Sequence, residues 1–275
     1  VPGFVDRALQ GEVAALAGGV PAVSGVYVQH LVTGCGAAVN AGAPFPAAST
    51  LKAAILVEAV RQAGGTPTPA TARLLDRMIV DSDDRAANTV LGLLGGGSGP
   101  AAVTATLRRI GLTEALVRRP YIIEDARRAR TPIPVEATAR PALYTNFIAT
   151  PYELGRLMVS VHRAALGTGA LRRAGISVRA ARTQLLPRLL SVRDTTKIVA
   201  GLPRGMPVAH KTGYTTQVKH DAGIVYLPGG PVVVVAMTWS RSGVGDATGD
   251  RFIARVADAA RRRLAGGGRC GAPAR

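Results

Sequence analysis

Long apolar runs are missing from this 275-residue sequence. The longest, residues 231–239, has the length of a strand. A membrane-crossing helix needs roughly 18–20 consecutive apolar residues, so no span is expected. Cysteine is scarce: Cys35 and Cys270 are the two. They form no C-x-x-C pair and stand at no metal-ligand spacing, which argues against a zinc module or a dithiol redox centre. No His/Cys/Asp cluster suggests zinc either, so a metallo-hydrolase is disfavoured and no cofactor is called for. Aromatic residues make up 4% of the chain, so aliphatic side chains must fill the core. Acidic residues are few, 17 against 34 lysines and arginines, for a formal charge of +17. Such a surplus raises the question of nucleic acid. However, the arginine pairs are scattered, no nucleic-acid motif accompanies them and few rings could stack on bases. Nucleic acid is therefore not expected as a partner. Attraction to an anionic cell envelope and a GC-rich coding bias are the other readings of the charge.

What is abundant is aliphatic sequence, with hydrophobic residues at 47%, ample for a substantial core. Periodicity predicts helices over residues 5–16, 51–60, 73–80, 85–94, 101–110, 152–166, 185–192 and 250–264. Thr150-Pro151 starts the helix at 152 with an N-cap threonine and a first-turn proline. Strands are expected over 24–32, from 37, and over 208–212, 221–227 and 232–239, with Gly229-Gly230 turning the last hairpin. Residues 117–150, rich in arginine and proline, are the least regular. Strands at both ends with helices between predict an α/β (α+β) fold. One sheet would be assembled from the two termini, and a helical segment inserted.

Ser49-Thr50-Leu51-Lys52 opens the apolar helix at 51–60. Residues three apart share a helix face. Serine is a poor nucleophile until a neighbour takes its proton, and a partly neutral lysine can do that. A helix-capping serine followed by a surface lysine would look the same in isolation. Two further segments weigh against that reading: Ser82-Asp83-Asp84 and Lys211-Thr212-Gly213.

The ordered set Ser-x-x-Lys, Ser-Asp-Asn, Lys-Thr-Gly marks class A β-lactamases and penicillin-binding proteins, and this chain resembles that superfamily from about residue 5 to 264. Phe45-Pro46-Ala47-Ala48 before the tetrad, Ala86-Ala87-Asn88 after the middle motif and Ala200-Gly201-Leu202-Pro203 before Lys211 also fit. Asp84 departs from the pattern, standing where asparagine is expected. The resemblance implies an antiparallel sheet part (about 1–50 and 195–270) and an all-helical part (about 51–194) in one domain, with the site in the cleft between them. It also implies a monomeric, exported serine hydrolase acting on β-lactams through an acyl-enzyme. A D-alanyl peptidase or esterase of the same fold and a non-catalytic penicillin-binding module are the alternatives. A Cys35–Cys270 disulfide near the end of the last helix would suit export; two free thiols are equally compatible with the sequence.

Carried over residue by residue, the resemblance makes Ser49 the acylated nucleophile and Lys52 its base or proton relay. Ser82 would bridge Lys52 and Lys211 and pass a proton to the leaving nitrogen. Lys211 and Thr212 would bind a substrate carboxylate, Gly213 would let substrate lie close to the strand, and the N–H groups of Ser49 and Tyr214 would form the oxyanion hole. Burial and a nearby Lys211 would lower the Lys52 pKa. Asp83 would tie loop backbone. An ionised Asp84 cannot donate to a substrate carbonyl, so either it pairs with Lys52 or the substrate lacks that carbonyl. Glu136 is the candidate for activating the deacylating water, by its spacing to Thr150-Pro151, although Arg140 replaces the expected asparagine; Glu124 is a weaker candidate. His210 and His220 are expected to be structural or exposed.

Overall fold

The computed structural model describes residues 4–121, 132–133, 143–144, 147–268 and 270. The main sheet has six strands, β1 (Phe4–Val5), β2 (Val23–His30), β3 (Cys35–Val39), β4 (Val208–Tyr214), β5 (Val218–Leu227) and β6 (Gly230–Trp239), in the order β1-β3-β2-β6-β5-β4. The two-residue β1 pairs parallel with β3, and the other five strands are antiparallel. The sheet is thus built from both ends of the chain, and β4, which carries Lys211-Thr212-Gly213, is an edge strand. The last hairpin turns at Pro228-Gly229, with Leu227 opposite Gly230, one residue earlier than the glycine pair suggested.

Helices α1 (Arg7–Gly19) through α7 follow in chain order: α2 (Lys52–Gln62), α3 (Pro69–Val80), α4 (Asp84–Leu93), α5 (Gly99–Arg109), α6 (Pro151–Ala165) and α7 (Asp246–Leu264). Every residue of β6 from Val232 to Met237 is fully buried. Val232, Val234 and Ala236 face a core shared with Leu9 and Val13 of α1 and Phe252 and Val256 of α7. Val233, Val235 and Met237 face the larger core with α2 and α6. Covering both faces explains why β6 reads as an unbroken apolar run rather than an alternation. At Gly155 of α6 a Cβ would lie 2.4 Å from the Tyr27 ring, so glycine is what lets that helix approach the sheet.

Helix α2 is buried from Lys52 to Val60, and so is apolar around most of its circumference. Its one carboxylate, Glu58, is 1% exposed and is held by Arg61, Gln62 and Thr106. Thr150 caps α6 by accepting from the Glu153 amide at 3.1 Å, as its sequence predicts. Several elements carried no usable periodicity: a small sheet of Phe45–Pro46, Leu116–Val117 and Phe147–Ala149, and short helical turns at Ala170–Arg173 and Val178–Ala180. Cys35 and Cys270 form a disulfide, with Cα atoms 5.7 Å apart. Among the described residues, no single helix is long and apolar enough to cross a membrane.

Candidate active site

Ser49 lies in a 3₁₀ turn, Ala48–Leu51, that runs directly into α2 at Lys52. The turn is entered through Ala48 at φ +47°, a conformation that costs a non-glycine residue energy and persists only where its surroundings fix it. Fixing contacts are present. The Ala47 amide donates to the Phe147 carbonyl at 2.9 Å, and the Thr50 hydroxyl donates to the Ala47 carbonyl at 2.6 Å. Strand β4 presses on the same turn: a Cβ at Gly213 would lie 3.0 Å from both the Ala47 carbonyl and the Thr50 amide nitrogen. The bare backbone of Gly213 is what allows strand and turn this close.

Lys52, on the first turn of α2, is 0% exposed. Its Nζ donates to the Ser82 carbonyl at 2.5 Å and to Asp84 Oδ1 at 2.5 Å, and lies 3.4 Å from Ser82 Oγ. Lys211 Nζ donates to the same hydroxyl at 3.0 Å, and also to the Thr212 carbonyl. Ser82 therefore stands between two buried lysines. It can do so because its backbone adopts φ +58° in the tight connection from α3 to α4. Asp83 secures that connection as the N-cap of α4, accepting from the Ala86 amide at 2.9 Å and pairing with Arg77. Asp84, the first residue of α4, is half-exposed and turns its carboxylate onto Lys52. Of the two options open for Asp84 in the sequence, the structure has the pairing.

Burial pushes the Lys52 pKa down, and the hydrogen bond and charge of Asp84 oppose it. Among the described residues, no carboxylate pairs with Lys211. Burial first and the Lys52 charge second bring it down to about 7. Lys52 is lowered as expected, by burial, and the repulsion between the two cations shows at Lys211.

His210 and His220 are both buried, 2% and 0% exposed. His210 Nδ1 lies 3.0 Å from Asp221, whose carboxylate also accepts from the Ile198 amide. His220 is held neutral, its pKa lowered to about 4 chiefly by burial. Its Nε2 lies 2.7 Å from the Pro46 carbonyl oxygen, and its Nδ1 lies 2.7 Å from the Lys219 carbonyl oxygen and 3.2 Å from the Thr238 amide nitrogen. These rings brace the sheet behind the site.

Tyr214, at the end of β4, is 57% exposed. Its ring lies 5.4 Å from Lys197 Nζ and 5.5 Å from Lys219 Nζ, two cations that no motif singles out. Tyr121 is a second unanticipated residue. Its ring lies 4.7 Å from Lys52 Nζ, and its hydroxyl donates to the Ala48 carbonyl at 3.2 Å. No pattern around it could have signalled this, because it arrives by tertiary packing. Glu136, Glu124 and Arg140 lie outside the described residues.

The sequence profile of the β-lactamase enzyme family matches residues 8–66 and 67–264. The chain belongs to that family. Solved structures of the β-lactamase fold agree. A point mutant of PBP-A, solved as an acyl-enzyme complex with penicillin G, is 24% identical with a TM-score of 0.74, covering 95% of this chain and 98% of that one. The β-lactamase from Desulfarculus baarsii is 23% identical with a TM-score of 0.75, over 94% of this chain and 98% of its own. An ancestral class A β-lactamase is 25% identical with a TM-score of 0.72, over 92% and 99%. No curated protein sequence matches the chain.

Proposed function

We propose that this β-lactamase family member is an exported serine hydrolase that forms an acyl-enzyme at Ser49 with β-lactams and releases it slowly. The observation that carries the reading is the Ser82 hydroxyl set between Lys52 and Lys211 beside the Ser49 turn. Ser49 Oγ attacks the lactam carbonyl carbon as its proton passes to a neutral Lys52. The carbon–nitrogen bond breaks, and Ser82 delivers a proton to the departing nitrogen while taking one from its lysine neighbours. Backbone N–H groups of Ser49 and Tyr214 stabilise the oxyanion. Lys211, when protonated, and Thr212 hold the substrate carboxylate, and Gly213 leaves room for it. The Cys35–Cys270 disulfide supports a site of action outside the cytoplasm, where such bonds persist.

Asp84 favours a second reading. As an acceptor on Lys52 it is not placed to donate to a substrate amide carbonyl, and it opposes the neutral form of Lys52 that burial favours. Both effects suit an ester or D-alanyl peptide less dependent on that contact. The test is incubation with penicillin G and with a chromogenic β-lactam, following turnover and intact mass. An adduct or turnover abolished by Ser49→Ala supports β-lactam acylation. Neither adduct nor turnover would sink it and leave ester or peptide substrates.

A further inference from the structure

Four contacts fix Tyr121 beside the nucleophile turn. Its amide donates to Asn88 Oδ1 of α4 at 2.6 Å. Its ring stacks on Phe147, with centroids 3.8 Å apart and planes at 17°. Phe147 belongs to the strand whose carbonyl holds Ala47, so ring and turn are braced by one element. The ring face covers Lys52 Nζ, and the hydroxyl is spent on the carbonyl of Ala48, the residue immediately before Ser49.

Resting on the acyl-enzyme reading above, we propose that Tyr121 blocks the hydrolytic half of the reaction, its ring filling the space beside Ser49 and Lys52 that a deacylating water and its base would need. Release of the ester requires a water oxygen to bond to the carbonyl carbon while a base takes the water proton. The bond to Ser49 Oγ then breaks, and that oxygen regains a proton. An aromatic ring excludes the water. A phenol that remains protonated and donates to Ala48 is a poor acceptor for its proton, and burial keeps this phenol protonated well beyond neutral pH. Tyr121 is thus a positioning residue in the negative sense, setting the lifetime of the adduct rather than its formation.

The experiment compares wild type, Tyr121→Phe, Tyr121→Gln and Tyr121→Glu, each loaded with penicillin G, separated from free drug and followed by intact mass. Wild type and Tyr121→Phe, which keeps the ring, should hold the Ser49 adduct for the longest times. Tyr121→Glu places a carboxylate in reach of Lys52 and clears the ring, and should shorten the adduct lifetime at least about tenfold. Tyr121→Gln clears the ring without supplying a base and should accelerate release less; it carries the test alone should the Glu variant fail to fold. Adducts of equal lifetime in wild type and in the folded Gln and Glu variants would overturn the role of Tyr121 while leaving acylation standing. Rapid release by wild type would overturn it as well. No adduct on wild type would overturn both readings.

Discussion

Asp84 and Lys52 meet at 2.5 Å, and the carboxylate works against the burial that pushes the base of the nucleophile toward its neutral form. Replacing the carboxylate by an isosteric amide removes that opposition and supplies an N–H donor. Asp84→Asn should raise the second-order rate of β-lactam acylation by about tenfold, read by the rise of the intact-mass adduct; an unchanged rate would show that Lys52 is not restrained by its partner. Lys211 gives a pH signature. With its pKa brought down to about 7, it is cationic below that value and neutral above it. Capture of a carboxylate substrate should weaken from about pH 6 to about pH 8, seen as a rising KM, and Lys211→Arg should flatten the change because a guanidinium stays charged. At this scale the sequence was informative where chemistry is tied to local spacing. Ser49, Lys52, Ser82 and Lys211 sit in short motifs, and the structure brings Ser82 within reach of both lysines. Tyr121, Lys197 and Lys219 reach the site only through packing, and no local pattern announces a residue of that kind.

Elements tell the same story for a different reason. Long helices with one apolar face, such as α3 and α6, were legible from their 3.6-residue period. The central strands were legible from composition. The paired segments Phe45–Pro46 and Leu116–Val117 were not, since two residues carry no period, yet with Phe147–Ala149 they form the sheet that braces the nucleophile turn. Strand β5 yields a prediction of its own. His220, neutral and buried, has a folded pKa of about 4 against an ordinary 6.5. Between those values the unfolded chain binds a proton that the folded chain refuses, so stability falls as the pH falls through that window. The full loss is at most roughly 3 kcal/mol. Thermal melts from about pH 7 to about pH 4 should show this slope, and His220→Gln, which keeps a donor for Pro46 and does not titrate, should flatten it. A slope unchanged in that variant would move the acid sensitivity elsewhere.

For the molecule as a whole, charge and crosslinking matter more than any one contact. Part of the arginine surplus is engaged with neighbouring carboxylates, as in Arg188–Asp76, Arg193–Asp81 and the Arg262–Glu12–Asp258 group. Arg188 is buried, but exposed pairs such as Arg193–Asp81 contribute little each, about 0–1 kcal/mol, so the net charge of +17 bears on encounters with anionic surfaces more than on folding. The disulfide bears on folding directly. It joins residues 235 apart, and on the chain-entropy view a closure of that length stabilises by up to about 5 kcal/mol. The paired Cys35→Ala, Cys270→Ala variant should melt roughly 5–10 °C below the oxidised wild type; equal melting temperatures would mean that the bond adds nothing to the native state.

The same bond gives the chain the topology of a ring with two tails. A protease that cuts once anywhere between Cys35 and Cys270 opens the ring without dividing it. The nicked product keeps its mass, apart from one added water, and runs as a single band until a reductant is added, when it separates into two fragments.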